Sequence, residues 1–118
     1  LNKVCYKAFA QPTSFYAAKQ ACATDGALLA MPKNSAINTF ISELAGPNVR
    51  YWIGMTDEDT EGVWIFEDGT TLASTNYTNW KPGEPNNNGG EQCAELQTVP
   101  QQWWNDAPCG ATLSGFIC

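Results

Sequence analysis

Five side chains in the C-terminal half of this 118-residue chain can donate hard oxygens: Glu84, Asn86, Glu91, Asn105 and Asp106. They combine carboxylates with primary amides, the mixture that calcium takes when it gathers roughly 6–8 oxygens. Five side chains leave one or two positions open to a bound molecule. Pro85 separates the first two donors. An X-Pro bond is the one peptide bond for which cis costs little, and a cis turn points the side chains of Glu84 and Asn86 to the same side. The chain has no histidine. That removes His-dependent triads, His zinc sites and an imidazole pH switch.

These donors need a scaffold, and the sequence around them suggests one. Val4 to Phe9 reads as a short strand. Ser14 is placed to cap a helix running to about Asp25, with Phe15, Ala18 and Cys22 on one face and Gly26 as terminator. Ser35 is expected to cap a second helix, whose apolar set Ile37, Phe40, Ile41 and Leu44 follows the i, i+3, i+4, i+7 pattern until Gly46-Pro47 stops it. Tyr51 to Met55 and Val63 to Phe66 are rich in aromatic and β-branched residues and read as strands around an acidic turn. Cys93 to Gln97, Trp103 to Asn105 and Gly115 to Cys118 complete the strands. Trp52 and Trp64 lie in apolar strands and read as core.

From about Gly69 to Gln92 neither period survives. A structureless segment of about 20 residues inside a compact domain signals function. Three of the oxygen donors lie within it, so the expectation is a loop that a bound cation organises. Asn76-Tyr77-Thr78 within it is a glycosylation sequon of low specificity.

Composition narrows the partners. Hydrophobic residues make up 43% and charged residues 15%, the balance of an ordered globular chain. The net charge is −6 and the isoelectric point about 4.3, which argues against nucleic acid and anionic membranes and suits a cation binder. No run approaches the ~18–20 apolar residues of a membrane span. No signal peptide is visible, so Leu1 reads as a mature or trimmed start. Five cysteines in a chain of this size indicate an oxidising, extracellular compartment. Spacing alone leaves their pairing open.

The joint occurrence, in order, of Trp52-Ile53-Gly54, Glu84-Pro85-Asn86, Trp104-Asn105-Asp106, cysteines at 22, 93, 109 and 118, and the ending Gly115-Phe116-Ile117-Cys118 resembles the C-type lectin-like domains. The likeness covers essentially the whole chain, read as a single carbohydrate-recognition domain over residues 1–118. It implies an α+β fold: two helices with small antiparallel sheets, chain ends close together, and a long calcium-binding loop. It implies the pairs Cys22–Cys118 and Cys93–Cys109. On the chain-entropy model, loops of about 100 and 15 residues correspond to roughly 4.7 and 3 kcal/mol. Cys5 is then a free thiol, an interchain bridge that would make an oligomer, or half of a bond lost by trimming.

The resemblance also assigns roles. Glu84 with Asn86, and Glu91 with Asn105, would each serve one hydroxyl of a sugar diol, the carboxylate accepting its proton and the amide donating to its lone pair. Asp106 would bind calcium. The acid-then-amide order resembles the version that selects mannose-, glucose- or fucose-type sugars, in recognition of pathogen or cell surfaces in innate immunity. The swapped order resembles galactose binders. Asp57 and Glu61 match two ligands of a second calcium site. Asn87 and Gln92 stand where acids are common there, and uncharged amides predict that this site stays empty at low millimolar calcium. Asn88 and Ala107 fall where extra sugar contacts arise, so weak, roughly millimolar monosaccharide binding is expected.

Two other classes compete with a lectin. One is a module of the same fold that binds a protein or another non-sugar ligand, with calcium only structural. The other is a hydrolase using Glu84 and Asp106 as an acid pair. Calcium-bound carboxylates have lowered pKa values and make poor proton donors, so the chain reads as a non-enzyme.

Overall fold

The computed structural model describes residues 4–86 and 90–118. Helix α1 (Phe15–Thr24) begins at Ser14, whose hydroxyl accepts the Ala17 N–H at 3.3 Å, and buries Phe15, Ala18 and Cys22. Helix α2 (Ser35–Ala45) starts one residue earlier than expected. Its cap is Asn34, whose side chain accepts the Ile37 N–H at 2.9 Å. Ser35 already has helical geometry, so Asn34 is the last extended residue that can reach the free N–H groups. The buried face of α2 is Asn38, Ile41 and Ser42, while Phe40 and Leu44 are exposed. The apolar periodicity thus pointed about one position away from the true core face. Asn38 wins that face because its amide is used inside: Nδ2 donates to the Gln102 carbonyl, and Oδ1 accepts from Trp104 Nε1 at 2.8 Å.

The strands are β1 (Ala8–Phe9), β2 (Arg50–Thr56), β3 (Ile65–Phe66), β4 (Cys93–Gln97), β5 (Trp103–Ala107) and β6 (Gly115–Ile117). They form one sheet in the order β1-β6-β2-β4-β5, with β3 beside β2. All pairings are antiparallel except β2 with β6. That parallel pair lets the C-terminal strand reach the middle of the sheet, beside the N-terminal strand. Lys7 and Cys118 exchange backbone hydrogen bonds there, so the chain ends meet. Cys22 is bonded to Cys118 and Cys93 to Cys109; Cys5 is exposed and unpaired.

Two apolar clusters fill the interior. One packs α2 against Ile53, Leu96 and Trp104; the other packs α1 against Trp52 and Phe116. Gly115 is required where β1 and β2 close on β6. A Cβ there would lie 2.1 Å from the Phe9 carbonyl oxygen. Backbone of a paired strand cannot yield as a side chain can. Gly115→Ala is therefore expected to cost about 3 kcal/mol or more, seen as a lower urea midpoint at unchanged slope.

Among its described residues, the long segment between β3 and β4 carries one named element, the short 3₁₀ turn Ala73–Thr75. Its descent to the site is nevertheless organised by protein contacts. Trp104 N–H donates to the Asn79 carbonyl at 2.9 Å and Lys81 N–H to the Trp104 carbonyl at 2.8 Å. Trp80 and Tyr77 meet the Trp104 ring edge-on, both at 5.5 Å. The loop expected to be organised by a cation is thus also held by protein contacts around Trp104. Aromatic packing fixes residues 77–81, and the cation ligands follow from that anchor.

Candidate functional site

Trp104 is fully buried, and the two residues after it carry donors toward the loop. On β5, Asn105 pairs in register with Glu95 and Asp106 with Ala94. Opposite them stands the Glu84–Pro85–Asn86 turn, whose first bond is cis. The Asn86 N–H donates to Asp106 Oδ2 at 3.0 Å. The Glu84 carboxyl lies above the usual carboxylate range. Burial is the main cause, followed by its hydrogen bond to Asp106, that residue's charge and the charge of Glu91; the Asn86 backbone N–H works in the opposite direction. Glu84, Asn86, Glu91 and Asp106 thus form one electrostatically coupled group, drawn from segments far apart in the chain.

Two oxygens test whether a cation suits this group. Among the described residues, Glu84 Oε1 and Asn105 Oδ1 are buried and accept no hydrogen bond. A buried acceptor without a donor costs about 1–3 kcal/mol. A hard divalent cation removes that cost, and its preferred ligand is oxygen. The donor set therefore fits calcium.

The second acidic group borders the first. Asp57 is buried, with Oδ2 accepting the Gly62 N–H at 3.0 Å and Oδ1 without a partner among the described residues. Its N–H donates to the Gln92 carbonyl at 3.1 Å. Glu61 is exposed, and its carboxyl is raised by desolvation, then by the contact and charge of Asp57, and last by Asp106. Asp57, Glu61 and Gln92 therefore share a neighbourhood with Asp106. Asn87 and Asn88 lie outside the described residues. Ala107 is buried and offers no surface to a sugar.

Glu95 escaped the sequence reading. It is fully buried, and its Oε1 accepts from Arg50 Nε at 2.8 Å, Asn105 Nδ2 at 3.3 Å and Gln97 Nε2 at 3.4 Å. The bond from Asn105 orients that amide, leaving Oδ1 as the atom without a donor. The available signal was a carboxylate in the otherwise apolar run Cys93-Ala94-Glu95-Leu96. A buried charge of this kind demands a partner.

With this geometry in place, the likeness to known proteins becomes informative. The profile of the Lectin C-type domain matches residues 11–118. The chain belongs to the C-type lectin domain family. Mannose-binding protein of Gallus gallus is 40% identical over 100 residues, covering 85% of this chain and 37% of that protein. C-type lectin domain family 4 member K of Homo sapiens is 37% identical over 109 residues, covering 91% and 33%. The chain thus spans about a third of the length of the curated relatives it matches. The carbohydrate-recognition domain of cow CD23, solved with a GlcNAc2Man3 oligosaccharide, superposes with a TM-score of 0.86 at 33% identity, covering 97% of this chain and 84% of that one. A calcium-independent type II antifreeze protein superposes with a TM-score of 0.85 at 25% identity, covering 97% and 83%. The fold of this C-type lectin domain is therefore shared by sugar-binding and calcium-independent proteins, and the site residues have to distinguish them.

Proposed function

We propose that this C-type lectin domain binds mannose-, glucose- or fucose-type glycans through a calcium ion held by Glu84, Asn86, Glu91, Asn105 and Asp106. The observation that carries the reading is the pair of buried acceptors without donors, Glu84 Oε1 and Asn105 Oδ1, one on each side of the site. Bound calcium would supply open coordination positions for two neighbouring hydroxyls. The carboxylates of Glu84 and Glu91 then accept the hydroxyl protons, while the amides of Asn86 and Asn105 donate to the remaining lone pairs. A binding module suits the geometry better than a hydrolase. The donor set mixes amides with carboxylates, and carboxylates gathered on calcium make poor proton donors.

Two disulfides suit an extracellular setting, and exposed Cys5 is available for an interchain bridge. Asp57 and Glu61, with Gln92, would form a second calcium site that stays empty at low millimolar calcium. The family's work in recognising pathogen or cell surfaces is the biological role proposed for the chain.

The test is a thermal melt with calcium, with chelator, and with mannose or galactose added. Calcium is expected to raise the midpoint, chelator to reverse the gain, and mannose in calcium to add a further shift that galactose does not. At a hundredfold excess over Kd, the sugar contributes about 2.7 kcal/mol. Sugar binding that ignores chelator overturns the reading. Calcium affinity should also fall as pH drops toward about 5, because protons compete for the carboxylates. Glu84, whose carboxyl is raised, takes up its proton before an ordinary glutamate would. A midpoint near about 6.5, the imidazole range, would contradict a purely carboxylate site.

The alternative is a calcium-independent module. The likeness to the calcium-independent antifreeze protein supports it. A glycan array without hits in calcium would favour it over a lectin.

A further inference from the structure

The Asn76-Tyr77-Thr78 sequon plays no part in the calcium site, and its presentation on the surface is specific. Asn76 ends the 3₁₀ turn in the left-handed region, at φ 56°. Asparagine adopts that conformation more readily than most residues, so the backbone alone accounts for Asn76. It does not account for Thr78. Tyr77 turns inward onto the Trp104 ring, and its two neighbours, Asn76 and Thr78, are both exposed. Thr75 spends its hydroxyl locally, donating to the Leu72 carbonyl at 2.8 Å and accepting the Tyr77 N–H at 3.1 Å. The side chains of Asn76 and Thr78 make no such bond among the described residues.

Thr78 also lines a groove of about 490 Å³, together with Val63, Trp64, Leu72, Trp80 and Pro85. These neighbours of Thr78 are all apolar. Val63 is 43% exposed, and the Trp64 and Trp80 rings lie 4.9 Å apart. Contiguous apolar surface left to water marks a binding site or an aggregation hazard. The chain itself indicates the occupant. Asn76 stands two residues from Thr78, a span of at most about 7 Å, so a group attached to its side chain starts at the rim of the groove. The apolar face of a sugar ring suits an indole, which is large, rigid and apolar.

We propose that Asn76 is an N-glycosylation site and that the inner sugars of its glycan lie over this groove. Asn76 Nδ2 bonds to the anomeric carbon of an N-acetylglucosamine delivered as a lipid-pyrophosphate-linked oligosaccharide. The bond from that carbon to the phosphate oxygen breaks, the lipid pyrophosphate leaves with the electron pair, and the amide gives up one proton. Thr78 supplies the hydroxyl that the sequon requires at its third position. The two disulfides suit the same secretory route. A bulky, solubilising glycan would shield the groove from other apolar surfaces. None of this depends on the lectin reading.

The test is secretion of the whole chain from eukaryotic cells, followed by intact mass before and after peptide-N-glycosidase. The expected product carries added hexosamine and hexose mass, which the enzyme removes, leaving aspartate at position 76. Asn76→Gln and Thr78→Ala should lack the added mass, while Thr78→Ser keeps it. Thr78→Ala leaves the left-handed turn at Asn76 untouched, so it carries the comparison if Asn76→Gln folds poorly. Wild-type protein at the bare polypeptide mass overturns the proposal. Covering of the groove is read with an apolar fluorescent dye. The unglycosylated variants are expected to bind severalfold more dye than the glycosylated chain, and adding Val63→Ser should remove most of that gain. Equal dye binding with and without the glycan overturns the covering and leaves the attachment standing.

Discussion

Exchanging acid and amide in the turn, by Glu84→Gln with Asn86→Asp, is expected to move sugar preference from mannose toward galactose. The exchanged pair still presents one carboxylate and one amide, so calcium affinity should be nearly preserved. What reverses is the direction of the hydrogen bonds. On the proposed reading, a hydroxyl that would give its proton to Glu84 meets an amide instead, and one that would accept from Asn86 meets a carboxylate. Each mismatch leaves a desolvated polar group unpaired, at about 1–3 kcal/mol, or roughly 10- to 100-fold in affinity. Competition of mannose and galactose for a mannan-coated surface measures this. An unchanged order of preference, with calcium still bound, would mean that these side chains do not touch the sugar.

Trp104→Ala is expected to produce the largest loss of stability. The ring is fully buried, sits in the cluster with Ile41, Ile53 and Leu96, and meets Tyr77 and Trp80 edge-on. Its Nε1 donates to Asn38 Oδ1 at 2.8 Å, tying β5 to α2. Truncating a buried Trp costs about 3–5 kcal/mol, and a lost buried hydrogen bond adds about 1–3 kcal/mol at Asn38. Stability should fall by an amount comparable to that of a small domain as a whole. Trp104→Phe separates the contributions, keeping most of the packing and losing only the donor. Because Trp104 also holds the loop that delivers Glu84, this milder variant should lower calcium affinity more than Gly115→Ala does at equal unfolding free energy. Equal effects on calcium would show that the anchor does not reach the site.

The division between local and distant information runs through particular residues. Helix α1 was legible because a cap, an apolar face and a terminator all lie within thirteen consecutive residues, Ser14 to Gly26. The oxygen donors were legible because their types and spacings are characteristic of a family the sequence resembles. Helix α2 was legible in extent but misread in orientation. Periodicity records which residues are apolar, and Asn38 is buried only because Gln102 and Trp104, more than sixty residues away, complete its hydrogen bonds.

The sequence alone offered the calcium-ligand candidates and determined the extent of most secondary elements, because these depend on composition and on neighbours a few residues apart. Tertiary structure alone decided the parallel pairing of β2 with β6, the edge-on packing of Tyr77 and Trp80 on Trp104, and the burial of Glu95 against Arg50 and Asn105. Each of these joins residues through space. Their energies come from packing and desolvation, which take a value only once the chain has closed around them.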